Sequence, residues 1–260
     1  MTPCGDGDLI WRCWGAGPPL VLLHGGTGSW THWIRNVRAL AHTRTVWAPD
    51  LPGLGESALP PRGFGIVEIA ATVVDGLGQL IPAGQKFDLV GFSFGGLVAG
   101  HVAAACTGDL RTLTMVGAGG LGLRQGRKLP LVAWRHLKDE AQRSDAHRHN
   151  LASLMLWDAT RIDALALHIQ SRNAQRSRIN SGPFSRGDTL LEPLARLRRR
   201  VRLHGIWGRH DVTAGGRLAE VEPILQFTDP DATLAVIEDA GHWVIYEQAE
   251  RFNAALLEAL

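Results

Sequence analysis

Short apolar runs alternate with longer amphipathic stretches along the first part of the chain. Pro19 to Leu23 is uninterrupted apolar sequence ending in His24-Gly25-Gly26, the pattern of a strand buried on both faces. Trp30 to Ala41 carries Trp33, Val37 and Leu40 at helical spacing and predicts a helix. Arg44 to Ala48 predicts a second strand, stopped by the turn residues Pro49-Asp50-Leu51-Pro52-Gly53. Ile66 to Ile81 reads as an amphipathic helix, followed by Pro82 and Gly84. Phe87 to Val90 is a third strand running into Gly91-Phe92-Ser93-Phe94-Gly95-Gly96. Leu97 to Cys106, built from small apolar residues, predicts a helix packed close to a sheet, and Leu113 to Val116 a further strand. From Gly119 to Arg200 no strand is predicted, only polar helical stretches rich in Arg and His. The rhythm resumes with a strand at Val201 to Trp207, a helix around Arg217 to Gln226, a strand at Thr233 to Ile237 and a last helix from about Val244 to Leu260.

Strands alternating with helices imply an α/β fold, a mostly parallel twisted sheet flanked by helices. The economical division is one domain in two parts, residues 1–119 and 201–260, interrupted by a helical insertion at 120–200. Composition adds exclusions. With 45% hydrophobic and 20% charged residues the chain is of globular type, not disordered. Its apolar runs fall far short of the ~20 residues that span a bilayer. The first residues lack the basic and apolar regions of a secretory signal. Cys4, Cys13 and Cys106 show no CxxC spacing and cannot all pair, so neither a disulfide framework nor a zinc ribbon is expected. The expectation is a soluble, cytoplasmic protein with no membrane partner.

The net charge of +2 hides a segregation. Residues Leu121 to His204 hold 17 Arg and Lys against 7 Asp and Glu, leaving 10 and 18 for the rest of the chain. Two explanations are open: a basic insertion docking on an acidic body, or attraction of an anionic substrate. Nucleic-acid binding is not expected, because the aromatics are not interleaved with the basic residues and no binding motif is present.

Gly91-Phe92-Ser93-Phe94-Gly95 fits GxSxG, and it lies between a buried strand and a small-residue helix. That is the setting of a nucleophile elbow, in which a strained turn lifts the serine hydroxyl above the carboxyl ends of the strands. A serine needs a base to take its proton. Among eleven histidines, His242 in Asp239-Ala240-Gly241-His242-Trp243 follows the final predicted strand and so reaches the same sheet edge. His136, His147, His149 and His168 fall in the basic insertion and are expected to be solvated, and His101 to be a packing or surface residue. The base in turn needs a carboxylate to hold its tautomer. Asp211, at the end of the strand that closes with Trp207-Gly208, is the candidate; Glu220 and Asp239 are rivals. Asp211 read alone is also a helix N-cap.

The chain order Ser93, Asp211, His242 resembles that of the α/β-hydrolase superfamily. The likeness extends to His24-Gly25-Gly26, to Ala48 through Ser57, to Gly208 through Asp211 and to Ala240-Gly241-His242. The resemblance implies that the insertion is a lid, and that the backbone N–H groups of Gly26 and Phe94 form the oxyanion hole. A serine at the elbow argues against the aspartate-dependent dehalogenases and epoxide hydrolases of that fold. A narrower likeness is to the meta-cleavage product hydrolases, which cut a C–C bond in 2-hydroxy-6-oxo-dienoates. It implies a lid arginine on the substrate carboxylate, for which Arg172 is the candidate, with Trp243, Trp30 and His32 near the pocket. This chain departs from that branch at two positions, where Phe92 and His32 replace asparagines.

The function expected is a serine hydrolase acting on a small carboxylate-bearing substrate, by ester or C–C bond hydrolysis. The alternative is a small-molecule receptor with little or no turnover; haloperoxidase-like or acyltransferase chemistry would use the same three residues. No metal or nucleotide cofactor is expected, since no HxxxH or HExxH pattern sits on a helix and no GxGxxG opens one after the first strand. The C–C hydrolase likeness leaves a homo-oligomer open.

Overall fold

The computed structural model describes residues 1–60, 63–106, 108–123, 129–197 and 201–260. The chain opens with a small antiparallel hairpin, β1 (Thr2–Cys4) and β2 (Gly7–Leu9). There follow β3 (Trp11–Trp14), β4 (Pro19–Leu23), α1 (Val37–Leu40), β5 (Thr45–Pro49), α2 (Ile66–Leu80), β6 (Phe87–Phe92), α3 (Phe94–Ala105) and β7 (Leu110–Val116). The insertion holds α4 (Glu140–Asn150), α5 (Ala164–Arg176) and α6 (Leu191–Leu197). The chain then completes the sheet with β8 (Arg202–Gly208), α7 (Val221–Thr228), β9 (Thr233–Ile237), α8 (Val244–Glu247) and α9 (Ala249–Ala259). The central sheet runs β3-β5-β4-β6-β7-β8-β9; β3 is antiparallel to β5 and every other pair is parallel.

The continuous apolar runs follow from cover on both faces. In β4, Leu20 and Leu22 face a buried cluster shared with Val46, Val90, Ile206 and Phe252. Val21 and Leu23, one pleat away, face the other cluster, with Leu89, Leu113, Leu203, Val98 and Leu225. Helices α2, α3, α6 and α7 supply the second cluster, and α1, α8 and α9 the first.

Three elements differ from the sequence expectation. Residues 2–14 form strands that were not predicted, because each is only three or four residues long and β3 is half exposed at the sheet edge. The helix expected from Trp30 to Ala41 is a 3-10 turn at Trp30–Trp33 followed by α1. Between them lies Asn36, whose buried Nδ2 donates to Asn253 Oδ1 on α9 at 2.9 Å. The last helix is divided at Gln248, which leaves helical geometry at φ −128°, ψ 50°.

Between β7 and β8 there is no strand among the described residues. The insertion contributes to the core at both ends. Leu121, Leu123, Leu190, Leu194 and Leu197 join the α3 cluster, and Leu151, Met155 and Ile169 join the other. Among its histidines His136, His149 and His168 are exposed, but His147 is buried at 2% and packs on the Trp134 ring at 4.9 Å. It lies beside Ala146 on the inward face of α4, so its solvated assignment is corrected. Six of the basic residues behind the charge segregation, Arg124, Arg127, Lys128 and Arg198 to Arg200, lie outside the described residues. An ion pair between Arg176 and Glu56 at 2.7 Å ties the insertion to the acidic body. Among the described residues no helix is long and apolar enough to cross a membrane.

Candidate active site

Ser93 sits between β6 and α3 at φ 54°, ψ −116°, a strained conformation for a residue with a side chain. The turn is held by its N–H, which donates to Val116 O at 2.8 Å, and by Gly119 N–H, which donates to Ser93 O at 3.2 Å. The two motif glycines are required by close approach. A side-chain carbon on Gly91 would lie 2.3 Å from Gly95 O, and one on Gly95 would lie 2.4 Å from the carbonyl oxygens of Leu23 and His24.

The loops after β8 and β9 bring Asp211 and His242 to the same edge. Ser93 Oγ lies 2.9 Å from His242 Nε2, and His242 Nδ1 lies 2.9 Å from Asp211 Oδ2. Both partners are buried, His242 at 3% and Asp211 at 6% exposure. The other oxygen of Asp211, Oδ1, accepts the Thr213 N–H at 2.8 Å and the Thr213 hydroxyl at 2.7 Å. That leaves Oδ2 to accept a hydrogen bond from His242 Nδ1–H, so Nε2 is free to accept from the Ser93 hydroxyl. Asp211 does cap a 3-10 turn, Val212–Ala214, so both readings of this residue are present in one side chain.

Two further histidines fix the glycine loop after β4. His24 is fully buried; its Nδ1–H donates to Gly25 O at 2.8 Å and its Nε2 accepts the Leu51 N–H at 2.8 Å. His32 Nδ1 accepts the Gly25 N–H at 3.2 Å, which leaves its proton on Nε2. Burial lowers the pKa of both rings below the ordinary histidine range, and His32 furthest, because His24 and His242 stand near it. With both backbone groups of Gly25 held by neutral imidazoles, the peptide planes flanking Gly25 are set in advance, and the second of them carries the Gly26 N–H. Phe94 is the first residue of α3, where the N–H has no partner within the helix.

A cavity of about 300 Å³ opens over Ser93 and His242, and Gly26, Phe94 and His32 line it. Leu121, Leu123, Leu131, Leu154 and Met155 make one part apolar; Asn180, Ser181, Ser185 and Arg186 make another part polar. Among the described lining residues Arg186 is the one arginine, and there is no carboxylate.

The remaining sequence candidates are not in the wall. Arg172 is exposed, because α5 turns Ala166, Ile169 and Asn173 inward and Arg172 away from them. Asn173, its neighbour, is the residue that docks α5, accepting from Ser29 Oγ at 2.8 Å and donating to Thr31 Oγ1 at 3.1 Å. Trp243 is buried beneath the site, stacked on Tyr246 at 4.2 Å, with its Nε1–H donated to His32 O at 3.2 Å. Trp30 packs on Trp14 at 5.1 Å, and its N–H donates to Asp50 Oδ1 at 2.8 Å. Thr213, Ser181 and Arg186 were not found from the sequence. Thr213, two residues after Asp211, carried a local cue in the Asx-type cap; Ser181 and Arg186 carried none.

A sequence model of the alpha/beta hydrolase family matches residues 20–255. The chain belongs to the alpha/beta hydrolase family. It is 31% identical over 251 residues to the dihydrolipoyllysine-residue acetyltransferase component of the acetoin cleaving system of Pseudomonas putida, covering 94% of this chain and 64% of that protein. It thus spans about two thirds of the length of that relative. It is 28% identical over 264 residues to 2-hydroxy-6-oxo-6-phenylhexa-2,4-dienoate hydrolase of Burkholderia cepacia, covering 95% of this chain and 88% of that one. In fold it matches a meta-cleavage product hydrolase from Pseudomonas fluorescens IP01 with a TM-score of 0.76 at 21% identity, over 97% and 94% of the two chains.

Proposed function

We propose that the protein is a serine hydrolase of small, carboxylate-bearing carbonyl compounds, acting on carboxylic esters. The observation that carries this reading is the unbroken hydrogen-bonded chain from Asp211 through His242 to Ser93 at the floor of a cavity. In the reaction Ser93 Oγ bonds to the ester carbon while its proton passes to His242 Nε2 and the carbonyl electron pair moves onto oxygen. The N–H groups of Gly26 and Phe94 hold that oxygen, each donor contributing about 3 kcal/mol to transition-state stabilisation. Collapse of the intermediate expels the alcohol, which takes its proton from His242. Water, deprotonated by His242, then splits the acyl-enzyme to give the acid and restore Ser93. Arg186 at the polar part of the cavity supports a substrate carboxylate, in the role that Arg172 cannot fill from the outer side of α5. The free state of all three cysteines suits a reducing, cytoplasmic compartment.

Hydrolysis of a C–C bond beside a ketone is the second reading, favoured by the near full-length likeness to the Burkholderia cepacia dienoate hydrolase. Against it, the cavity wall carries Phe92 and His32 at the two positions where the resemblance to that branch implies asparagines. The test is a parallel assay of three substrates: a neutral nitrophenyl ester, the nitrophenyl monoester of a dicarboxylic acid, and a 2-hydroxy-6-oxo-dienoate. The expected result is nitrophenol release, faster from the anionic ester, and a loss of at least about 10⁴-fold in Ser93→Ala. Turnover of the dienoate alone replaces the ester reading with the C–C one. Tight binding of such compounds without turnover by either wild type or Ser93→Ala would restore the receptor.

A further inference from the structure

Ser181 lies in the insertion between α5 and α6, is 8% exposed and lines the cavity. Its side chain stands against the glycine of the proposed oxyanion hole. A side-chain carbon on Gly26 would lie 2.1 Å from Ser181 Oγ and 3.5 Å from Phe94 Cβ, so hydroxyl, glycine and Phe94 meet in one corner. Given ordinary backbone dimensions the hydroxyl is within about 5 Å of the Gly26 nitrogen. Among the described residues the Ser181 hydroxyl has no hydrogen-bond partner, although the Ser181 carbonyl accepts from Ser185 Oγ at 3.4 Å. The Ser181 hydroxyl can donate or accept, whereas the N–H groups of Gly26 and Phe94 beside it only donate, so an acceptor oxygen brought by a ligand is the one partner that engages all three as donors.

The segment that carries Ser181 is fixed to the core on both sides. Upstream, Arg178 N–H donates to Gly53 O at 3.0 Å, the Arg178 guanidinium donates to Ser57 O, and Ile179 packs against Gly53. Downstream, Gly120 N–H donates to Ser185 O at 3.2 Å and Gly122 N–H to Gly187 O at 2.7 Å. The hydroxyl is therefore positioned before substrate arrives, as electrostatic stabilisation of a transition state requires.

We propose that Ser181 is a third oxyanion donor, its O–H hydrogen-bonding the substrate oxygen as negative charge develops there while the proton stays on Ser181. The inference rests on the serine-hydrolase reading. It makes the insertion a part of the reacting centre, and it gives a reason for glycine at position 26 beyond the loop geometry, since any side chain there would displace the hydroxyl.

The test uses a fluorophosphonate probe, in which Ser93 Oγ forms a bond to phosphorus, fluoride leaves, the serine proton passes to His242, and the phosphoryl oxygen occupies the oxyanion position. Labelling rate is measured with kcat and KM for nitrophenyl butyrate and with the thermal midpoint, in wild type, Ser93→Ala, Ser181→Ala and Ser181→Cys. The expected result for Ser181→Ala is a fall of about 10- to 100-fold in both labelling rate and kcat, with KM within about twofold and an unchanged midpoint. Ser181→Cys, which keeps a weak donor, falls between. An unchanged labelling rate, or a loss carried by KM or by a lower midpoint, overturns the inference. Labelled wild type with unlabelled Ser93→Ala upholds the hydrolase reading whatever Ser181 does. Folded wild type that resists the probe overturns that reading, and the Ser181 role with it.

Discussion

Each oxygen of Asp211 has a separate task, and that division decides which nitrogen of His242 carries the hydrogen. Thr213 supplies two donors to Oδ1, which leaves Oδ2 as the acceptor facing His242 Nδ1. In Asp211→Asn the same donors keep the amide oxygen at the Oδ1 position, and the amide NH₂ must face His242. The imidazole then accepts at Nδ1 and carries its proton on Nε2, where it cannot receive the proton of Ser93. Activity should fall about 10⁴-fold with little change in thermal midpoint, checked by ester hydrolysis and calorimetry on the same preparation. A fall of tenfold or less would show that the tautomer is set by other groups. Ser93, Asp211 and His242 were legible in the sequence because each sits in a short motif at the end of a recognisable strand. Thr213 was not, because its importance comes from what it leaves of Asp211 for a histidine in another loop.

At the scale of elements, the break between α8 and α9 connects the insertion to the loop that carries His242. Glu247, at 3% exposure, accepts Gly241 N–H at 2.7 Å, Trp157 N–H at 3.0 Å and Asp158 N–H at 2.8 Å. Trp243 N–H donates to Met155 O at 2.7 Å, so the insertion is bonded to the chain just after His242, while Gly241, just before it, is held by Glu247. Glu247→Gln exchanges one acceptor oxygen for an NH₂ that faces an N–H. Losing one or two bonds to a charged acceptor costs about 2–5 kcal/mol, which lowers the thermal midpoint by roughly 5–15 °C in a chain of this size. Calorimetry checks it, and a midpoint within about 2 °C of wild type would mean that the clasp contributes nothing. The same scale explains Arg172. Its motif was visible in the sequence, but α5 docks through Ala166, Ile169 and Asn173, and that choice of face turns the arginine outward.

For the whole molecule, three buried histidines tie stability to pH. Burial lowers the pKa of His24, His32 and His147, with Arg143 adding to the effect at His147. A histidine held neutral in the fold but titrating near 6.5 when unfolded binds more protons in the unfolded state as the solution is acidified. Its stabilising contribution is therefore complete above about pH 6.5 and is lost progressively as pH falls below it. The thermal midpoint should hold from pH 7.5 to about 6.5 and then fall progressively to pH 5.5. His147 allows a test away from the site: among the described residues neither of its ring nitrogens has a partner, the Trp134 ring covers it and Arg143 is its charged neighbour. His147→Phe should raise the midpoint at pH 7 and flatten the decline on acidification; an equally steep decline would remove His147 from the account.

The strands from β4 to β9, the turn at Ser93 and the order of its two partners could be read from the chain because their causes are local. A strand covered on both faces must be apolar throughout, and a strand that turns sharply into a helix admits only glycine at the points of contact. The edge strands before Trp14, the division of two predicted helices, the burial of His147 and the approach of Ser181 and Arg186 to the cavity depended on the folded molecule. Each is settled by which surface of one segment meets another far away in sequence: Asn36 with Asn253, Glu247 with Trp157, Gly26 with Ser181. Periodicity says that a segment has a face to bury; only packing selects its neighbour, and with it the groups that surround Ser93.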